Sequence, residues 1–222
     1  MPERTIAVGD VHGCSRALHA LIAAIQPTVD DVVVTLGDYV NRGPDSRGVL
    51  DALAELRGRC RLVPLLGNHD EMLLRAHAGL PAAATNAGGN GRPARPDRDW
   101  GRELPRLSSA NLAFLKACVG FHETDRHLFV HASYDPSQPL DRQPASILRW
   151  HSLRDGVPRR HESGKTAVVG HTSQKNGKIL DLGHIVCIDT YCHGGGWLTA
   201  LDVDSGQVWQ ADRDGRVRRS SR

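Results

Sequence analysis

Aspartate, histidine and asparagine recur early in this chain inside short glycine-framed clusters: Gly9-Asp10-Val11-His12-Gly13, Gly37-Asp38-Tyr39-Val40-Asn41-Arg42-Gly43 and Gly67-Asn68-His69-Asp70. Carboxylate, imidazole and amide donors in that mixture suit manganese, with iron or zinc as alternatives, better than calcium or a thiolate zinc knuckle. Two divalent ions about 3.5 to 4 Å apart, sharing a carboxylate, would clamp the attacking and leaving oxygens of an in-line phosphoryl displacement. Asp10 and His12 can coordinate one ion together and Asp38 can bridge. Asn68, His131 and His171 can complete the second site. His69 is then left as general acid, and Arg42 is the natural fork for the phosphoryl oxygens, with Asn68 beside it. The nucleophile would be hydroxide held by the metals, with no covalent intermediate.

Such a centre needs rigid elements behind it. Each cluster follows a short apolar run, Thr5 to Val8, Val32 to Leu36 and Arg61 to Leu66, which reads as a buried parallel-type strand. Helical periodicity fills the gaps: Leu18, Leu21, Ile22 and Ile25 behind Ser15, then Val49, Leu50, Leu53 and Leu56 behind Ser46 as cap. The result is β-α-β-α-β with right-handed crossovers, and functional groups at the strand ends. His131 and His171 end two further apolar runs, His127 to Val130 and Thr166 to Val169. The stretches 184–188, 197–201 and 207–209 read as antiparallel strands.

The three clusters are similar to the signature blocks of the phosphoprotein phosphatase branch of the calcineurin-like metallophosphoesterases, and His131 and His171 fit that family's two later ligands. The resemblance implies an α/β fold, a mixed β-sandwich flanked by helices, and a dinuclear metal site. It also implies a second phosphate-binding arginine near residues 147–154, where Arg149 and Arg154 both qualify. Asn41 stands where the family's protein phosphatases carry an aspartate paired with the catalytic histidine, and Asp70 where glutamate is common. Asn41 can accept a hydrogen bond from His69 but cannot stabilise its cation, so the acid is weaker and anhydride substrates with good leaving groups are favoured. That neutral residue resembles the symmetrical diadenosine tetraphosphate hydrolase branch. Chain length and the stretch from Asp189 to Asp202 resemble small bacterial serine/threonine protein phosphatases instead. The expected activity is a metal-dependent phosphoric-ester hydrolase, protein phosphatase first and dinucleoside polyphosphate hydrolase as the alternative; the substrate is a phosphorylated protein or a nucleotide polyphosphate.

The remaining 222-residue composition narrows the setting. A net charge of +3 is too small to imply specific nucleic-acid binding. Five cysteines without framework spacing read as reduced thiols in a cytoplasm, and no apolar run reaches membrane-span length. One domain over 1–212 is expected, with a loop or lid at 80–101 whose Arg92, Arg95 and Arg98, with Arg102 just beyond, could hold an anionic substrate. The basic stretch 213–222 reads as a frayed tail. His193, within the Gly-rich turn 192–196, reads first as part of a tight turn rather than a substrate contact. Composition and spacing leave the oligomeric state open.

Overall fold

Strict alternation along the strands decides the layering. In β1 (Thr5–Val8), Ile6 and Val8 face one apolar cluster while Ala7 faces another, and in β2 (Val32–Thr35) Val33 opposes Val32 and Val34 in the same way. The computed structural model describes residues 3–80 and 104–222. The expected lid at 80–101 and its arginines lie, apart from Leu80, outside the described residues.

The N-terminal strands β1, β2 and β3 (Arg61–Pro64) are parallel in register, Thr5 opposite Val32 and Val32 opposite Arg61. Between them run α1 (Ser15–Ile25) and α2 (Ser46–Leu56), and α3 (Asn68–His77) follows. A fourth helix, α4 (Ser109–Lys116), leads to β4 (Phe121–Glu123), β5 (His127–Val130), α5 (Ala145–Trp150) and β6 (Thr166–Val169). The chain closes with β7 (Leu180–Asp181), β8 (Ile185–Cys187), β9 (Leu198–Asp202), β10 (Gln207–Ala211) and β11 (Val217–Ser221).

Two sheets result, ordered β11-β10-β9-β1-β2-β3 and β4-β5-β6-β8-β7. Their facing sides bury Ala7, Val34, Leu36, Phe129, Val168 and Val186 in one shared core. The outer face of the first sheet packs on α1, α2 and α4 through Leu18, Leu21, Leu50, Leu53 and Phe114. The outer face of the second packs on α5 through Leu128, Val130 and Leu148. At roughly 1.5–3 kcal/mol for each fully buried large aliphatic side chain, these three layers of contact carry the fold. It is the expected mixed β-sandwich flanked by helices.

Three expectations change in detail. Ser46 is not the cap of α2: Asp45 is, accepting from Gly48 N–H at 2.9 Å, and Ser46 Oγ accepts instead from Asn41 N–H at 3.0 Å. The stretch 184–188 is not antiparallel to its inner neighbour: β8 runs parallel to β6, with Ala167 opposite Ile185. A parallel partner was available because the chain crosses over between β6 and β8 through residues 170–184. Finally, residues 217–221 are not a frayed tail but an edge strand antiparallel to β10, Trp209 opposite Arg219. The Asp212–Gly215 turn closes this hairpin, and ladder hydrogen bonds offset the charge density of its arginines.

Candidate metal and phosphate site

Six strands in parallel pairs, β1, β2 and β3 in one sheet and β5, β6 and β8 in the other, end on one side of the two sheets, so the loops that follow them meet there. The backbone at this meeting point is bent into a conformation that side chains seldom adopt. Among the described residues seven non-glycine positions have positive φ, and all but Gln26 belong to these loops: His12, Asp38, Asn41, Arg42, His171 and Tyr191. Strain of that kind, of order 1–3 kcal/mol per residue, persists where surrounding contacts over-determine it. Asp70 supplies the contacts. Its fully buried carboxylate accepts from the N–H groups of Asp38 (2.7 Å), Tyr39 (2.9 Å), Val40 (3.3 Å) and Gly67 (3.0 Å), stapling the second cluster to the third.

Asp38 sits at the centre. Its Oδ2 lies 3.3 Å from His12 Nε2 and its Oδ1 lies 3.5 Å from His131 Nε2, so one carboxylate faces an imidazole on each side. Both imidazoles are turned by their other nitrogen: His12 Nδ1 meets Val40 O at 3.1 Å and His131 Nδ1 meets Leu36 O at 2.7 Å. Donation there leaves the Nε2 lone pairs aimed inward, the usual arrangement of ligating histidines. Asn68 Oδ1 is 3.1 Å from both His131 Nε2 and His171 Nδ1. Asp10 accepts from His171 N–H at 3.1 and 3.0 Å with its two oxygens. Only glycine fits beside it, because a Cβ on Gly170 would collide with Asp10 Oδ1. All six expected ligands are thus brought together.

The electrostatics of this pocket call for a cation. Burial first, and then the neighbouring Asp189 and Asp38, pushes the Asp10 carboxyl well above its ordinary range. Burial likewise raises Asp38 and Asp189. Burial, with nearby positive groups, lowers the imidazoles, His131 to about 4 and His171 to about 3. Acids that resist ionising and histidines held neutral are an uncompensated set of donors for divalent metal. Donor atoms of Asp38, His131 and His171 converge within 4.8 Å of one another, as do those of His12, Asp38 and His69. The residues therefore fit the implied ions. His69, expected to stand clear of the metals, falls within the second of these groups.

Around the centre, Arg42 is exposed and oriented by two imidazoles, with Nη2 2.9 Å from His69 Nε2 and Nη1 3.3 Å from His193 Nε2. His69 N–H donates to Asp38 Oδ1 at 2.9 Å. Among the described residues no hydrogen bond joins Asn41 to His69; Asn41 N–H donates to Ser46 Oγ at 3.0 Å. Arg149 is paired with Glu71 at 2.9 Å, where Trp150 also donates to the same carboxylate oxygen at 3.0 Å. Arg154 is exposed and donates to Ser173 O at 2.6 Å.

Two residues were missed. Asp189, buried, is held by Ser173 Oγ at 2.7 Å and by Tyr191 N–H at 3.1 Å. It follows β8, and the strand-end rule would have found it had β8 been read as parallel. His193, which the sequence places first in a tight turn, has its ring edge-on to His12 with centroids 4.6 Å apart. No local pattern carries that contact.

Residues 3–203 match the family model described as calcineurin-like phosphoesterase. The chain belongs to the calcineurin-like phosphoesterases. A symmetrical bis(5'-nucleosyl)-tetraphosphatase of Janthinobacterium sp. (strain Marseille) is 36% identical over 261 aligned positions, covering 90% of this chain and 92% of the relative. Another of Photorhabdus laumondii is 35% identical over 143 positions, 62% of this chain; the match spans about half (46%) of that relative's length. Among solved structures, a protein provisionally named diadenosine tetraphosphatase superposes over 100% of this chain and 96% of its own with a TM-score of 0.68 at 22% identity, which speaks for the fold alone. Among the described residues of this calcineurin-like phosphoesterase, no helix is long and apolar enough to cross a membrane.

Proposed function

We propose that this calcineurin-like phosphoesterase hydrolyses dinucleoside polyphosphates, cleaving a phosphoric anhydride to release nucleotides. The carrying observation is the relative that aligns along nearly the whole chain, named symmetrical bis(5'-nucleosyl)-tetraphosphatase. This reverses the ranking drawn from the sequence, in which a serine/threonine protein phosphatase came first; nothing in the comparisons favours a phosphoprotein substrate specifically. Five free cysteines support a cytoplasmic setting.

Asp10, His12, Asp38, Asn68, His131 and His171 would hold two divalent ions, with manganese the first choice for this donor set. When bound, such ions lower the pKa of water and neutralise charge on phosphoryl oxygens. Arg42 would turn from His69 and His193 to two oxygens of the reacting phosphoryl group, its fork matching them bidentately. That movement would turn His69 Nε2 toward the leaving oxygen; held neutral by burial and by Arg42, the imidazole would take up the proton lost by the attacking water before passing it to that oxygen. A nucleoside diphosphate leaves readily, so modest proton donation suffices. Arg154, exposed at the rim, is the freer of the two candidate arginines, because Arg149 is committed to Glu71.

The test is a substrate panel with manganese: diadenosine tetraphosphate, a phosphoserine peptide and p-nitrophenyl phosphate. The expected result is a kcat/KM on the dinucleotide at least tenfold above either monoester, with ADP as the product. A phosphopeptide turned over faster than the dinucleotide restores the protein phosphatase reading.

A further inference from the structure

A cleft of about 710 Å³ opens beside the site, within the 300–1,000 Å³ or so typical of small-molecule pockets. Its inner wall continues the segments that carry site residues. Cys14 is two residues past His12, Pro44 two past Arg42 and Gly195 two past His193, and all three line it. The outer wall is the Asp212–Asp214 turn of the β10–β11 hairpin, the stretch that read as a loose tail. The hairpin is tied to α1 by Arg219, which donates to Ala24 O at 3.0 Å, and Gly215 passes close to the same helix.

The charges on this cleft are unequally committed. Asp45 accepts from Gly48 N–H at 2.9 Å. Asp212 accepts from the N–H groups of Asp214 and Arg216, each at 2.9 Å, and Asp214 faces Arg216 at 3.9 Å. Arg16 and Arg213 line the same cleft, are exposed, and make no hydrogen bond or ion pair to any described residue. Arg213 is also near enough to His193 for its charge to bear on that imidazole. Asp45 and Asp212 are bonded within the protein and Asp214 is loosely paired with Arg216, whereas two guanidiniums are left to an anion from solvent, presented by a helix and a hairpin rather than by loose chain.

We propose that this cleft binds the nucleoside diphosphate half of the substrate that leaves, with Arg16 and Arg213 on its phosphates. The proposal rests on the dinucleoside polyphosphate reading and adds where the second half of such a molecule lies: the phosphate chain passes from the metal centre across Arg42 into the cleft. The cleft has room for a nucleoside diphosphate, whereas a phosphate ion would leave most of it empty.

Calorimetric titration of the full chain, stripped of metal with EDTA, tests this with ADP, adenosine and inorganic phosphate as probes. ADP should bind, at least tenfold tighter than adenosine or phosphate, and the Arg16→Ala/Arg213→Ala variant should weaken ADP at least tenfold. In the manganese-loaded enzyme the same variant should raise KM for diadenosine tetraphosphate at least tenfold with kcat within twofold. Thermal melting of the variant checks that it folds, and Arg213→Lys should recover part of the ADP affinity. Unaltered ADP affinity in the double variant, or phosphate binding as tightly as ADP, overturns the proposal. If ADP binding depends on the two arginines while the dinucleotide is not hydrolysed, the cleft assignment stands and the activity assignment falls.

Discussion

The two ends of β2 each carry a buried aspartate, and they are handled in opposite ways. Asp31 enters the strand at 2% exposure, with Arg4 Nη2 2.6 Å and Nε 2.8 Å from its oxygens and Thr28 N–H at 2.7 Å. The hydrogen bond from Arg4 is the main reason its carboxyl lies well below the ordinary range. Asp38, past the other end, is equally buried, but burial raises it and Asp189 adds to the effect. One end of the sheet pairs its carboxylate within the chain; the other leaves its carboxyl without a cationic partner of its own, open to a cation from outside. In open α/β sheets the carboxyl ends of strands are where ligands bind, and this contrast supplies an electrostatic form of that rule.

The largest effect should come from the end without an internal cation. Asp38→Ala should reduce manganese-dependent hydrolysis by about a thousandfold or more. Melting of the metal-free protein should nevertheless be no lower than wild type, because an uncompensated buried carboxylate is removed. A drop of many degrees would break the comparison by making Asp38 structural. Arg42→Ala, acting on substrate charge rather than on the ions, should cost about a hundredfold in kcat/KM. An unaltered rate would remove Arg42 from the site.

At the neutralised end, Asp31→Asn should leave kcat unaltered and lower unfolding free energy by about 2 kcal/mol at pH 7, measured by urea titration. The pH dependence sharpens the point. The folded-state pKa of Asp31 is below the unfolded value of about 3.9, so its contribution is complete above that pH and is lost as pH falls toward the folded value. The gap between wild type and variant should therefore narrow below about pH 4; a constant gap would mean that packing, not charge, is at stake. The smallest effect is expected from Asn41→Asp, since among the described residues no hydrogen bond links Asn41 to His69. Monoester turnover should change less than about threefold, and a large increase would reinstate the tuning of His69 through Asn41.

Legibility followed locality. The first three clusters were readable because each is one apolar strand followed within a few residues by its polar groups, and His131 and His171 repeat the pattern. The direction of β8 was not readable, because an isolated four-residue apolar run, Ile185 to Ile188, carries no sign of which neighbour it will choose. With that direction went Asp189. The strand nature of residues 217–221 was hidden by composition: four of the last seven residues are arginine, and charge of that density reads as solvated until β10 supplies hydrogen-bond partners.

What the sequence determined alone was chemistry and scaffold: which donor types exist, how apolar alternation builds two sheets, and that strand ends deliver the donors. Only the tertiary structure decided the distances between them, the merging of His69 with the His12–Asp38 group, the hold of His193 on Arg42, and the cleft walled by α1 and the last hairpin. The physical reason is that donor type and periodicity are properties of neighbours along the chain. Convergence is set by which strands share a sheet, and segments more than a hundred residues apart settle that only when they pack.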